Sequence, residues 1–244
     1  MMTQPIVFLG GFLSSPGAYR DMQQALVQIT GQAVWIVEAR SYDWLGNIVP
    51  AGWAHLLRKL DRTVQRARRD STTGKVTLIG HSAGGVLGRL YLSPRRFLGR
   101  AYKGQDYVAH LVTLGSPHYN QRRLIYGGWL SRWVNERYPG AFFAPQVRYT
   151  SVGGKLVRGD RYGSRRERQS YAFYKNIIGD GNAWGDGLIP VPSALLEGSH
   201  QITLDGVSHF KGFGGPWYGE PEVIGRWWGR NVGPASRATG DEPA

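Results

Sequence analysis

The stretch Val76-Thr77-Leu78-Ile79-Gly80-His81-Ser82-Ala83-Gly84-Gly85-Val86-Leu87 decides how the rest of the chain reads. It begins as a short apolar run with β-branched residues, the pattern of a buried strand, and ends as a helix-compatible run. Between them Gly80-His81-Ser82-Ala83-Gly84 matches G-x-S-x-G. A strand that turns into a helix within about five residues forces the serine at the turn into a strained backbone conformation. Only small residues two before and two after it avoid a clash, so both are glycine. The strain lifts the Ser82 hydroxyl clear of the sheet edge, where a base can reach it. The next amide, that of Ala83, lies at a helix N-terminus, where donors are unpaired and the dipole favours negative charge. That amide is one candidate donor to an oxyanion.

Outward from the elbow, strand and helix patterns alternate. Ile6 to Leu9 reads as a first buried strand and Ala33 to Val37 as a second. Tyr19 to Ile29 has helical spacing, with Met22, Ala25, Leu26 and Ile29 on one face. Trp53, Leu57, Leu60, Val64 and Ala67 predict an amphipathic helix over roughly 51–70, with Arg58, Arg62, Arg66 and Arg69 on its outer face. Tyr107 to Leu114 and Gln146 to Val152 are further strands. This alternation, which runs to about residue 205, predicts an α/β fold with a mostly parallel central sheet covered by helices on both faces. A single domain over 1–232 is expected, with a disordered small and polar tail at 233–244.

Two basic segments stand apart. Asn120 to Phe143 carries an apolar helical stripe of Ile125, Trp129 and Trp133, with Leu130, Val134 and Tyr138 one row over and Arg122, Arg123, Arg132 and Arg137 nearby. Bulky aromatics beside arginine suit a lid over a site or an element that touches lipid, and a helix packed permanently on the core fits the same stripe equally well, so 120–143 is a candidate lid with that alternative open. Lys155 to Gln169, with Arg158, Arg161, Arg165, Arg166 and Arg168, reads as a mobile basic loop.

The 244 residues carry 30 Lys and Arg against 17 Asp and Glu, a net charge of +13, which favours contact with an anionic membrane surface. No nucleic-acid-binding signature accompanies the charge, so nucleic acid is not an expected partner, and no obligate protein partner is evident. The absence of cysteine excludes disulfides and thiolate metal sites. No apolar run reaches membrane-spanning length. Met1-Met2-Thr3-Gln4-Pro5 lacks the features of a signal peptide. A cytoplasmic protein, peripheral at most to a membrane, is expected.

A serine nucleophile needs a base within reach and a third group to orient it. His209, in Gly206-Val207-Ser208-His209-Phe210 just after the last strand pattern, is the expected base. His81 lies inside the elbow with its side chain expected to point away from the nucleophile. Carboxylates between Ser82 and His209 are the candidates for that third group. Asp186, in Gly185-Asp186-Gly187-Leu188-Ile189-Pro190, is the leading candidate and Asp180 the runner-up.

Several segments together resemble lipase-type α/β-hydrolases. The elbow is one. Gly10-Gly11-Phe12 after the first strand is similar to their oxyanion loop, where a histidine often replaces Gly10. Gly115-Ser116-Pro117-His118 and Gly185-Asp186-Gly187-Leu188 resemble two more of their segments. The resemblance implies an α/β-hydrolase fold with Ser82, Asp186 and His209 as a catalytic triad, and with the Phe12 and Ala83 amides as the oxyanion hole. His118 precedes the acid in the chain and is expected to be structural or pocket-lining. The opening Gly-Gly-Phe and the basic Gly-rich body look like the soluble lipase-like hydrolases of cyanobacteria and chloroplasts, some of which deacylate galactolipids. The implied activity is hydrolysis of a carboxylic ester, of a lipid or small ester substrate, through an acyl-enzyme, with no cofactor and no metal. An acyltransferase using the same acyl-enzyme and a non-catalytic binding protein on the same fold are the alternatives.

Overall fold

The structure, a computed structural model, describes residues 3–46, 49–121 and 128–232. The expected tail at 233–244 and residues 122–127 of the candidate lid lie outside the described residues.

In chain order the elements are β1 (Ile6–Leu9), α1 (Arg20–Thr30), β2 (Val34–Ile36), α2 (Pro50–Ala67), β3 (Val76–His81), α3 (Ala83–Tyr91), β4 (Val108–Leu114) and α4 (Gly128–Arg137). They continue as β5 (Arg148–Lys155), β6 (Val157–Arg158), α5 (Arg165–Ile178), β7 (Trp184–Gly185), α6 (Val191–Ala194), β8 (His200–Asp205), α7 (Pro221–Trp227) and α8 (Gly229–Val232). Among the described residues six strands form one sheet in the order β2-β1-β3-β4-β5-β8, and every neighbouring pair is parallel. β6 and β7 form a separate antiparallel ribbon.

Strand side chains alternate between the two faces, so each strand serves two cores. From β1, Val7 and Leu9 join a core with α2, α3 and α4, while Ile6 and Phe8 join one with α1 and α7. In β4 the alternation slips. Val76 pairs with Val108 but Thr77 with His110, so Ala109 is an extra residue. That bulge is why Val108 and Leu111, three apart, face the same core. All six residues of β3 are buried, and its C-terminal end carries Ser82.

The stretch expected as a mobile basic loop is ordered instead. Part of it forms β6, and from Arg165 it is helix α5, which starts at a capping box: the Glu167 amide donates to Ser164 Oγ (3.3 Å) and the Ser164 amide to Glu167 Oε2 (2.6 Å). The five arginines mask this Ser-x-x-Glu signal. α4 lies in the candidate lid. Its row of Leu130, Ser131 and Val134 is buried, and Tyr138 just beyond is 5% exposed. That row of the candidate lid is therefore seated in the core, while Trp129 is 43% and Phe142 51% exposed.

Candidate active site

Ser82 sits between β3 and α3 with φ +53° and ψ −127°, a conformation that non-glycine residues rarely adopt. The glycines of the motif make it sterically affordable. A Cβ on Gly80 would overlap Gly85, and one on Gly84 would overlap the carbonyl oxygens of Leu9 and Gly10. The Ser82 amide donates to the Leu114 carbonyl (2.9 Å), which ties the turn to β4.

Ser82 Oγ lies 3.1 Å from His209 Nε2, and His209 Nδ1 lies 2.7 Å from Asp186 Oδ2. Residues 127 and 23 positions apart in the chain thus meet in one line. His209 and Asp186 are both buried. The Asp186 carboxylate is held at both oxygens. Oδ1 accepts the amides of Leu188 (3.0 Å) and Ile189 (2.7 Å), the turn that the flanking glycines permit. Oδ2 accepts from His209 and from the Tyr218 hydroxyl (2.9 Å). The Tyr218 oxygen in turn accepts the Gly154 amide (2.7 Å), so its own proton is directed to the carboxylate. Burial, and then the charge of Asp186, push the Tyr218 hydroxyl well above its ordinary range, so it stays a donor. Asp180 is exposed, and its Oδ1 accepts the Asn182 amide (2.8 Å) in a local turn.

The Gly11–Phe12 peptide is held at its carbonyl, which accepts from the Ser14 amide (3.2 Å) and Ser14 Oγ (2.6 Å). A trans peptide is planar, so the Phe12 N–H points the opposite way. Among the described residues, neither the Phe12 nor the Ala83 amide meets a protein acceptor. Both residues line a cavity of about 330 Å³ over Ser82, whose walls are mostly apolar and include Leu13, Pro117, Leu188, Ile189 and Phe210. No residue of α4 lines it. Trp129, Arg132, Trp133 and Glu136 border a separate depression of about 140 Å³.

His118 is buried, with Nε2 3.0 Å from Thr113 Oγ1 and Arg89 beside its other nitrogen, and does not reach Ser82's cavity. His81 differs from expectation. Its ring lines the cavity and packs 4.8 Å from the His209 ring, centroid to centroid. Its Nε2 is 3.0 Å from the His209 carbonyl oxygen, and its Nδ1 is 3.0 Å from the Tyr19 hydroxyl. Ser14, Tyr19, His81 and Tyr218 escape a sequence reading. Apart from the tyrosines' aromatic character and their burial, nothing local marks them.

Comparison with known proteins fits this architecture: the alpha/beta hydrolase fold family matches residues 4–183. The chain belongs to that family. The match contains the elbow and ends before Asp186 and His209. No curated protein matches the chain. Among solved structures, the chain is similar to lipase B of Aspergillus fumigatus at 13% identity and a TM-score of 0.46, over 62% of this chain and 37% of that one. It therefore spans little more than a third of the lipase. It is also similar to a hydrolase of the α/β superfamily from Xanthomonas campestris (15% identity, TM-score 0.45, 83% and 86% of the two chains) and to Est1E from Butyrivibrio proteoclasticus (14%, 0.46, 86% and 81%). Among the described residues, no helix is long and apolar enough to cross a membrane.

Proposed function

We propose that this protein hydrolyses carboxylic esters of acyl groups, those of lipids included, through a Ser82-His209-Asp186 triad. The observation that carries the reading is the unbroken line from Ser82 Oγ through His209 to Asp186, at 3.1 and 2.7 Å, opening on an apolar cavity. Ser82 Oγ attacks the acyl carbonyl as His209 Nε2 takes its proton. Asp186 holds the imidazole by Nδ1 and stabilises its cation. The Phe12 and Ala83 amides receive the oxyanion. The proton then passes from His209 to the departing alcohol. Water, deprotonated by His209, cleaves the acyl-enzyme along the same route and restores Ser82.

The cavity's apolar walls suit an uncharged acyl chain. Phe12, Leu13 and Phe210 at its mouth are each roughly half exposed, at 47%, 47% and 45%. Such a rim suits a substrate presented from an aggregate or a bilayer. Next to it, Phe210 packs on Phe213 (5.2 Å), and Arg166 lies over the Phe213 ring (6.0 Å), which places a cation where an anionic headgroup would pass.

The test pairs turnover of p-nitrophenyl esters, from C2 to C16, with labelling by a fluorophosphonate, which reacts only with an activated serine. Ser82→Ala should abolish labelling and lower turnover on the order of 10³-fold or more. Labelling at another residue, or undiminished turnover by Ser82→Ala, would remove the proposal.

A further inference from the structure

Beyond the triad, one buried chain of hydrogen bonds has a direction that its donors and acceptors fix. The Gly11 amide lies 3.0 Å from the Tyr19 hydroxyl oxygen. An amide can only donate, so the Tyr19 oxygen accepts there and its own proton is free for His81 Nδ1, at 3.0 Å. At the other side of the ring, the His209 carbonyl can only accept. His81 Nε2 must therefore carry the proton across that 3.0 Å contact. The chain runs Gly11 N–H to Tyr19 O–H to His81 Nδ1, and His81 Nε2–H to the His209 carbonyl. It begins one residue before Phe12, whose amide is proposed to hold the oxyanion, and ends on the backbone of the proposed base.

Its members are built in. Tyr19 and His81 are each 5% exposed. The Tyr19 ring packs on Phe8 (4.6 Å), His81 (5.8 Å) and Trp217 (5.9 Å). The space at Gly11 is closed as well, since a Cβ there would stand 2.8 Å from Ser82 Cβ. Burial, reinforced by the neighbouring His209, holds the His81 imidazole well below its ordinary range. It is therefore neutral, the state the chain requires.

We infer that Tyr19 and His81 are positioning residues that lock the oxyanion loop to the base, the Tyr19 hydroxyl joining the Gly11 amide to His81 and His81 joining Tyr19 to the His209 carbonyl. His209 is then fixed twice, at its side chain by Asp186 and at its backbone by His81. The inference rests on the proposed ester hydrolysis at Ser82. Neither residue touches the reacting atoms in this role; they set where Phe12 N–H and His209 Nε2 stand relative to Ser82 Oγ. A small misplacement of such groups slows the chemistry without weakening ground-state binding.

The experiment compares Tyr19→Phe, His81→Leu, His81→Gln and the double variant Tyr19→Phe/His81→Leu, with Ser82→Ala alongside, on the full chain with a soluble p-nitrophenyl ester. Tyr19→Phe removes one oxygen and keeps the ring, so it should fold. Its kcat should fall about tenfold to a hundredfold, with KM nearly unchanged. His81→Leu should fall as far. His81→Gln, whose amide can accept from Tyr19 and donate to the His209 carbonyl, should recover most of that loss. A purely structural role gives no such rescue. The double variant should be no slower than His81→Leu, because both substitutions break one chain. With Ser82→Ala inactive, wild-type kcat in Tyr19→Phe and His81→Leu overturns the inference and leaves the triad standing. So does a loss in Tyr19→Phe and His81→Leu that multiplies in the double variant. An active Ser82→Ala removes the site reading and this inference together.

Discussion

Helix α3 joins two regions that are built on different principles. At its N-terminal end, Ser82, the loop at Gly10 to Ser14 and the loop at His209 are held by directional hydrogen bonds and by backbone approaches with no room for a Cβ at Gly80, Gly84 or Gly85. At its C-terminal half, α3 meets α4 largely through apolar burial of Leu87, Leu90, Leu130 and Val134. A polar anchor, Arg89, crosses that second region. It is 1% exposed, and its guanidinium donates to Asn135 Oδ1 (2.8 Å) and to the carbonyls of Tyr138 (2.6 Å) and Gly140 (3.3 Å) with no carboxylate among these partners. Burial lowers its pKa to about 10, which leaves it charged at neutral pH. The first region depends on single atoms, because each contact has one geometry. The second depends on volume, because apolar contacts have many.

That contrast is broken most sharply at Asp186. Asp186→Asn keeps size and fold but puts an amide where one carboxylate oxygen accepts from His209 and Tyr218. His209 then loses the partner that selects its tautomer, and kcat should drop on the order of 10³-fold to 10⁴-fold. Asp180→Asn, on the exposed turn, should change kcat by less than about twofold. Steady-state kinetics on the two variants check this, and the reverse ranking would move the acid to Asp180.

What a sequence reader can see follows the same division. Strand and helix order is legible because it depends on local periodicity, and the elbow because its glycines recur at a fixed local spacing, although the clash that Gly84 avoids is with the distant Leu9 and Gly10 carbonyls. Gly185-Asp186-Gly187 and the post-strand His209 could be picked out for the same reason: their turn chemistry is local. Tyr19, His81 and Tyr218 could not, since their partners lie 62, 128 and 32 residues away. Which way His81 points is decided by Tyr19 and His209, not by the elbow. In α4 the spacing showed which residues share a face, yet periodicity cannot say whether that face meets a core, a site or a lipid. In α5 the Ser164-Glu167 cap was present in plain letters, and arginine count outweighed it.

Acid acts on both regions in the same direction. Three histidines are buried and held below the ordinary value of 6.5: His81 and His118 well below it, and His110 at about 3, each chiefly by burial. In the unfolded chain they take up protons near pH 6.5, while in the folded chain they stay neutral. The unfolded state therefore binds more protons below that pH, so stability is full above it and lost as the pH falls. One pH unit below 6.5, each site costs up to ~1.4 kcal/mol, and the three together up to ~4 kcal/mol. Chemical denaturation at pH 7.5 and 5.5 measures the loss. His118→Gln, in the α4 region, should remove about a third of it. An unchanged pH dependence in that variant would mean that His118 is charged in the folded protein.

The smallest effect is expected at Trp129, where the candidate lid can be tested. A lid would bring α4 across the cavity over Ser82 and release it at an interface. Trp129 is 43% exposed, borders its own depression and does not line that cavity. Lifting α4 would uncover Leu130 and Val134, at about 1.5–3 kcal/mol for each buried side chain. It would also strip Arg89 of carbonyl acceptors in a buried place, at about 1–3 kcal/mol more. Transfer of one half-exposed indole to lipid cannot offset a sum of that size. Trp129→Ser should therefore change stability by less than about 0.5 kcal/mol and leave turnover as it was. The measurement is the rate of hydrolysis of a short-chain ester on either side of its solubility limit, in wild type and in Trp129→Ser. A rate that passes smoothly through the limit in both proteins makes α4 a packed helix. A jump at the limit that Trp129→Ser blunts would mean that α4 leaves the core at an interface, and the division between the two regions of α3 would fail with it.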